Sequence, residues 1–177
     1  MSMQHVAAAL ERVETVLRRR PDMGLHDDAP ATARWESGTR IVASHVNGTQ
    51  VATDMPCELG GTGDRVTPGW MFRAGLASCA ATSIAMRAAA AGIELSALEV
   101  CASSKSDTRA LLGLTASDGA PVPAAPCDMQ LAVRIAAPGV APERLHALVT
   151  QACGCSPIPS AVQTALPVDL RIDVATS

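Results

Sequence analysis

The residues with the widest chemical range in this chain are its six cysteines, at positions 57, 79, 101, 127, 153 and 155. Two settings stand out. Cys79 lies among small residues in "AGLASCAATSIAMRAAAA", which runs from Ala74 to Ala91, and Cys153 and Cys155 flank a single glycine in "CGCSPIP". A cysteine inside an apolar helix is either a small hydrophobe that packs well or a nucleophile at the floor of a pocket. Its helical neighbours at three and four residues are Gly75, Leu76, Thr82 and Ser83. That face is small enough to admit a facing helix or to let a substrate reach the sulfur.

Nucleophilic attack requires a thiolate, and Cys79 sits about three turns into its helix, beyond the reach of the macrodipole. A cation must therefore serve it. Arg73 and Arg87 are read as projecting from other faces, so the expected sources are Arg34, Arg40 or Arg65 on other segments. The Cys-Gly-Cys pair has three possible chemistries: a strained disulfide, resolution of a sulfenic acid on Cys79, or ligation of a soft metal with His146. With no second paired motif, neither a metal nor a cofactor is expected. Cys57 falls in a glycine-rich loop, whereas Cys101 and Cys127 fall in strands as unreactive small hydrophobes. The chain has no Ser/His/Asp order around a nucleophile elbow, no HExxH and no dinucleotide fingerprint. "CELGGTGDRV" lacks the Gly-Lys-Ser/Thr of a phosphate loop, so it reads as a plain loop.

The elements that must hold these residues follow from punctuation and periodicity. Val6, Leu10, Val13 and Leu17 form an apolar stripe on a helix over residues 4–20, which Pro21 and Gly24 stop. This helix should dock on the domain or on a partner, and Arg18, Arg19 and Arg20 read as its C-terminal cap. "PDMGLHDDAP" is a linker, and the next 26 residues read as a three-stranded meander turning at Ser37-Gly38 and Asn47-Gly48. Thr67-Pro68 opens a helix of about seven turns that Gly92 closes. It is apolar nearly all round, so a second subunit is expected to help cover it. Two strands, "ALEVCASSKSD" and "CDMQLAVRIAA", precede the amphipathic helix "APERLHALVTQAC", a short helix at 160–165 and a final alternating strand, "PVDLRIDV". The order β-β-β-α-β-β-α-α-β indicates an α+β fold with mostly antiparallel strands.

With 177 residues, 48% of them hydrophobic, the chain can bury one core. A net charge of −3 provides no field for nucleic acid or anionic membrane, and the three aromatics Trp35, Trp70 and Phe72 are too few for stacking on bases. Arg73 and Arg87 interrupt the most apolar segment, so no membrane span is expected. The N-terminus lacks a secretory pattern, and Glu11 and Glu14 argue against a transit peptide. A cytoplasmic location with reduced thiols is the expectation.

Four segments together resemble the OsmC/Ohr superfamily of osmotically inducible and organic-hydroperoxide-resistance proteins. They are Pro56 with Glu58 to Gly61 and Gly63, "TPGWMFRAGLASCAATSIAMRAA", "SDTRALLGL" and "SPIPSAVQTALPVDLRIDV". The likeness spans residues 31–175, which divides the chain into an N-terminal helix and linker (1–30) and an OsmC-like domain (31–177). The resemblance implies an intertwined homodimer with long central helices buried between sheets. It also implies that Cys79 attacks a small organic hydroperoxide, that a second thiol condenses with the sulfenic acid, and that a dithiol reductant restores the enzyme. The chain departs from that pattern in three places. A helix-start carboxylate falls at Gly69, the hairpin arginine falls at Glu36 with Arg34 and Arg40 nearby, and the resolving cysteine falls at Ser156 with Cys155 one residue early. The implied site is thus Cys79 with Arg40 and with Cys155 or Cys153 as second thiol. The rival expectation is a non-catalytic member whose Cys79 cavity binds a small hydrophobic ligand or senses oxidants.

Overall fold

The computed structural model describes residues 2–164 and 166–175. Helix α1 (Met3–Arg19) begins where the Ser2 hydroxyl accepts a hydrogen bond from the His5 N–H, and a single 3-10 turn at Pro21–Gly24 ends the segment. None of its residues is buried, yet its apolar stripe lies along the central helix. Strands β1 (Thr32–Ser37), β2 (Arg40–Ser44) and β3 (Gln50–Thr53) form the expected antiparallel meander. Gly38 and Gly48 turn it with φ of 54° and 91°, a region that glycine enters without strain.

Helix α2 (Pro68–Ala90) is capped by Thr67, whose hydroxyl accepts from the Trp70 N–H at 3.1 Å. At its other end Gly92 takes φ of 65°, Gly92 N–H bonds the Ala89 carbonyl and Ile93 N–H bonds the Ala88 carbonyl. This is the paired closure that a left-handed glycine permits. Strands β4 (Ala97–Lys105) and β5 (Cys127–Ala136) pair antiparallel, joined through the short α3 (Thr108–Leu111). Helices α4 (Pro142–Gly154) and α5 (Pro157–Thr164) follow. The fold is therefore a mixture of helices and antiparallel sheet, and no described helix is long and apolar enough to cross a membrane.

The core sits where α2 and α4 cover one face of β4–β5. Ile84, Ala88, Ile93, Leu145, Leu148 and Ala152 are buried there, with Leu98, Val100, Val133 and Ile135 of the sheet packed beneath them. The opposite residues of β4 and β5 face outward, and Cys101 and Cys127 are among the exposed ones. Neither is the packed small hydrophobe that its apolar strand suggested.

One expected element is missing. Residues 166–175 form no strand, although Val168, Leu170, Ile172 and Val174 alternate with polar residues. A strand exists only through pairing, and no strand edge among the described residues receives this segment, so its apolar side chains stand exposed.

The glycine-rich loop is tied to the meander by a buried carboxylate. Asp54, 2% exposed, accepts from the hydroxyls of Thr39 (2.6 Å) and Thr62 (2.7 Å) and from the backbone N–H groups of Met55 and Thr62. Arg40 reaches Asp54 at 3.2 Å and also pairs with Asp64. A Cβ on Gly61 would fall 1.8 Å from the Met55 carbonyl oxygen, so the loop requires glycine there.

Two expectations follow. Ile84 is fully buried, and Ile84→Ala should lower unfolding free energy by about 2–5 kcal/mol in urea denaturation, the cost of lost burial plus a cavity. The Thr39 and Thr62 hydroxyls hold the Asp54 carboxyl well below its ordinary 3.8 despite the opposing effect of burial. A depressed carboxylate stabilises the fold above its unfolded-state value, and this contribution drains away as pH falls through and below that value. Thermal midpoints should thus hold level near neutral pH and drop on acidification below about pH 4. Asp54→Asn should start lower and drop less steeply; an unchanged acid slope in the variant would exclude this carboxylate as a cause.

Candidate functional site

Cys79 occupies the middle of α2, half-buried and free. Residues 4, 7, 8 and 11 further on, Ser83, Met86, Arg87 and Ala90, return to the same side of the helix. With Cys79 they line one cavity of about 990 Å³. Leu10, Val13 and Leu17 of α1 form a second wall, and Ala152, Cys155 and Pro157 at the α4–α5 junction form a third. The lining is mostly apolar. Its charged groups are Arg87 and the Arg18–Glu14 pair, whose atoms approach to 2.5 Å one turn apart on α1.

The polar contact of Cys79 comes from Ser156. This fully buried residue, immediately before α5, places its hydroxyl 3.2 Å from the Cys79 sulfur and 3.0 Å from the Ser83 hydroxyl. Position 156, where the resemblance puts a second thiol, is therefore the residue that touches Cys79, and it carries oxygen. Cys155, one residue earlier, is exposed and opens onto the same cavity, with its sulfur 3.8 Å from an Arg87 Nη. Cys153 turns the other way, against the core, where burial pushes its thiol up from its ordinary value. The structure thus brings Cys79 and Cys155 to one cavity and sends Cys153 elsewhere.

Arg40 stays with Asp54, Asp64 and Thr62 in the loop knot and is not among the residues that line the Cys79 cavity of this chain. Arg65 pairs with Asp64, also away from it. Arg87, assigned to another face from sequence, does reach the cavity. A step of eight residues returns within about 80° of its starting direction at 3.6 residues per turn, and a long side chain spans the rest. Arg18, taken as part of a cap, reaches the cavity because α1 lies along α2. The signal for it was the stripe Leu10, Val13 and Leu17, whose neighbours Glu14 and Arg18 must border whatever that stripe covers. Among the described residues no three His, Cys, Asp or Glu gather as a metal site.

Several solved structures share this architecture. The OsmC-like protein of Mycoplasma pneumoniae is 17% identical, over 78% of this chain and 89% of that one, with a TM-score of 0.64. An organic hydroperoxide resistance protein OsmC from Legionella pneumophila is 21% identical, over 78% and 92%, with a TM-score of 0.56. One from Elizabethkingia anophelis is 22% identical, over 78% and 90%, with a TM-score of 0.53. No curated protein matches the chain. The model of the OsmC-like protein family matches residues 61–171, more than half of the sequence and the part that carries both Cys79 and Cys155, and the chain belongs to that family.

Proposed function

We propose that this protein is a thiol-dependent peroxidase that reduces a small organic hydroperoxide through Cys79. The observation that carries this reading is the pairing of two free thiols, Cys79 and Cys155, on one largely apolar cavity of about 990 Å³. An apolar cavity takes up the organic part of the substrate and excludes water from the sulfur. The Cys79 thiolate attacks the outer peroxide oxygen; an S–O bond forms, the O–O bond breaks, and the alkoxide leaves as the alcohol after taking a proton. The sulfur of Cys155 then attacks the sulfenic acid, forming the disulfide and releasing water, and a dithiol reduces the disulfide by exchange.

A second reading has its own observation. The group in contact with Cys79 is the hydroxyl of Ser156, which cannot resolve a sulfenic acid. A cavity of this kind can instead hold a small hydrophobic ligand over an oxidant-sensing thiol. Turnover separates the two. Wild type should consume cumene hydroperoxide with a dithiol over many cycles, Cys79→Ser should fall to the uncatalysed rate, and Cys155→Ser should stop with a trappable sulfenic acid on Cys79. If peptide mapping finds Cys79 still reduced after minutes with one equivalent of peroxide, the ligand-binding reading stands.

The working unit is proposed to be a homodimer. Trp70, 49% exposed, and Phe72 leave apolar surface on α2 uncovered, β1 is exposed throughout, and the alternating tail at 166–175 lacks a sheet edge among the described residues. A second copy of the chain would meet all three needs at once. Sedimentation at micromolar concentration should give twice the chain mass of 18.2 kDa; a monomer would sink the proposal.

A further inference from the structure

Two guanidinium groups line the cavity, and they are not equivalent. Arg18 is engaged by Glu14 on its own helix. Arg87 forms no ion pair among the described residues, and its polar contact is the Cys155 sulfur at 3.8 Å. Arg87 sits eight residues beyond Cys79, about 12 Å along the helix axis. Its backbone is therefore remote from the Cys79 sulfur while its side chain touches the other thiol.

We infer that Arg87 is the positioning residue of the resolving step: it holds the Cys155 sulfur at the cavity and meets the negative charge that sulfur carries as it attacks Cys79. The inference rests on the peroxidase reading above and adds the residue that reading lacks for its second half. The step balances without a further reagent. The Cys155 thiolate donates its electron pair to the sulfur of the Cys79 sulfenic acid, the S–S bond forms, the S–O bond breaks, and hydroxide leaves and is protonated to water. Arg87 donates no proton and is unchanged at the end. Its part is to keep the Cys155 sulfur at the cavity and to face the charge on that sulfur during the attack, as a fixed cation attracts a nearby anion. Ser156 cannot substitute for Cys155, and Cys153 faces the core, so resolution depends on the thiol that Arg87 touches.

The experiment follows the reduced full-length protein after one equivalent of cumene hydroperoxide, with dimedone trapping and intact-mass readout over time. Wild type, Arg87→Gln and Arg87→Lys are compared. In each protein the lifetime is timed from the appearance of the Cys79 sulfenic acid, so that any change in the first step is read apart from the second. The lifetime before the Cys79–Cys155 disulfide appears should lengthen roughly fivefold in Arg87→Gln, the scale of a partly exposed charge interaction, and Arg87→Lys should recover most of the loss. Raising ionic strength should slow the same step in wild type, because salt screens such a pair, and this readout needs no variant to fold. An unchanged lifetime in Arg87→Gln or a salt-independent second step overturns the inference while leaving the peroxidase reading intact. A wild-type protein whose Cys79 stays reduced overturns both.

Discussion

The buried hydroxyl of Ser156 is the joint on which the arrangement of this site depends. A hydroxyl removed from water must find hydrogen-bond partners, and here α2 supplies them as Cys79 and Ser83, one helical turn apart. This fixes the α4–α5 junction at one height along α2. The same junction presents Ala152 to both the core and the cavity and brings Cys155 to the cavity. The small residues of α2 make the approach possible: Ala80, Ala88 and Ala89 are buried and Gly75 is met only by the tip of Ile158. Larger side chains there would hold α4, α5 and β4 away and open the core.

Helix α1 uses the same freedom differently. It buries none of its residues completely, yet its stripe covers the strip of α2 that carries Cys79 and so converts an exposed groove into a walled cavity. The family match begins at residue 61, well after this helix. One wall of the site, with its Arg18–Glu14 pair, is thus built by a segment outside the matched region, and the size and charge of the cavity are set partly by residues beyond that match.

Local rules made much of this readable. The N-cap Thr67, the proline after it and Gly92 set the limits of α2 within a residue, because capping chemistry is local. Ser37-Gly38 and Asn47-Gly48 placed the meander turns for the same reason. What escaped was decided by tertiary placement. The tail's alternation promised a strand, but pairing needs an edge that no periodicity can supply. The sequence could not tell that Arg40 would be claimed by Asp54 and Asp64 across the loop. Arg87 was missed through treating a helical face as narrower than a long side chain makes it. Cys101 and Cys127 were misjudged because a two-stranded sheet covered on one side leaves every second residue in water.

The displacement of the second thiol by one residue has a mechanical consequence. Cys79 is mid-helix, fixed by hydrogen bonds on both sides and by packing through Leu76 and Ala80, so it is the least mobile part of the site. Cys155 follows the last turn of α4, where Cys155 N–H bonds the Ala152 carbonyl and Ser156 N–H bonds the Cys153 carbonyl, each at 3.2 Å. Bonds spanning three residues are the poorer helical geometry, and helix ends open at lower cost than middles. Adjacent Cα atoms are about 3.8 Å apart, so Cys155 lies one peptide from a side chain already touching Cys79. Disulfide formation needs Cα atoms within roughly 4.4–6.8 Å and converging Cβ vectors, and a tight turn at a helix end can supply that change more easily than the rigid α2. In the proposed cycle this asymmetry divides the labour: the rigid helix would present the sulfur that meets the substrate, and the turn at the end of α4 would bring the second sulfur to it.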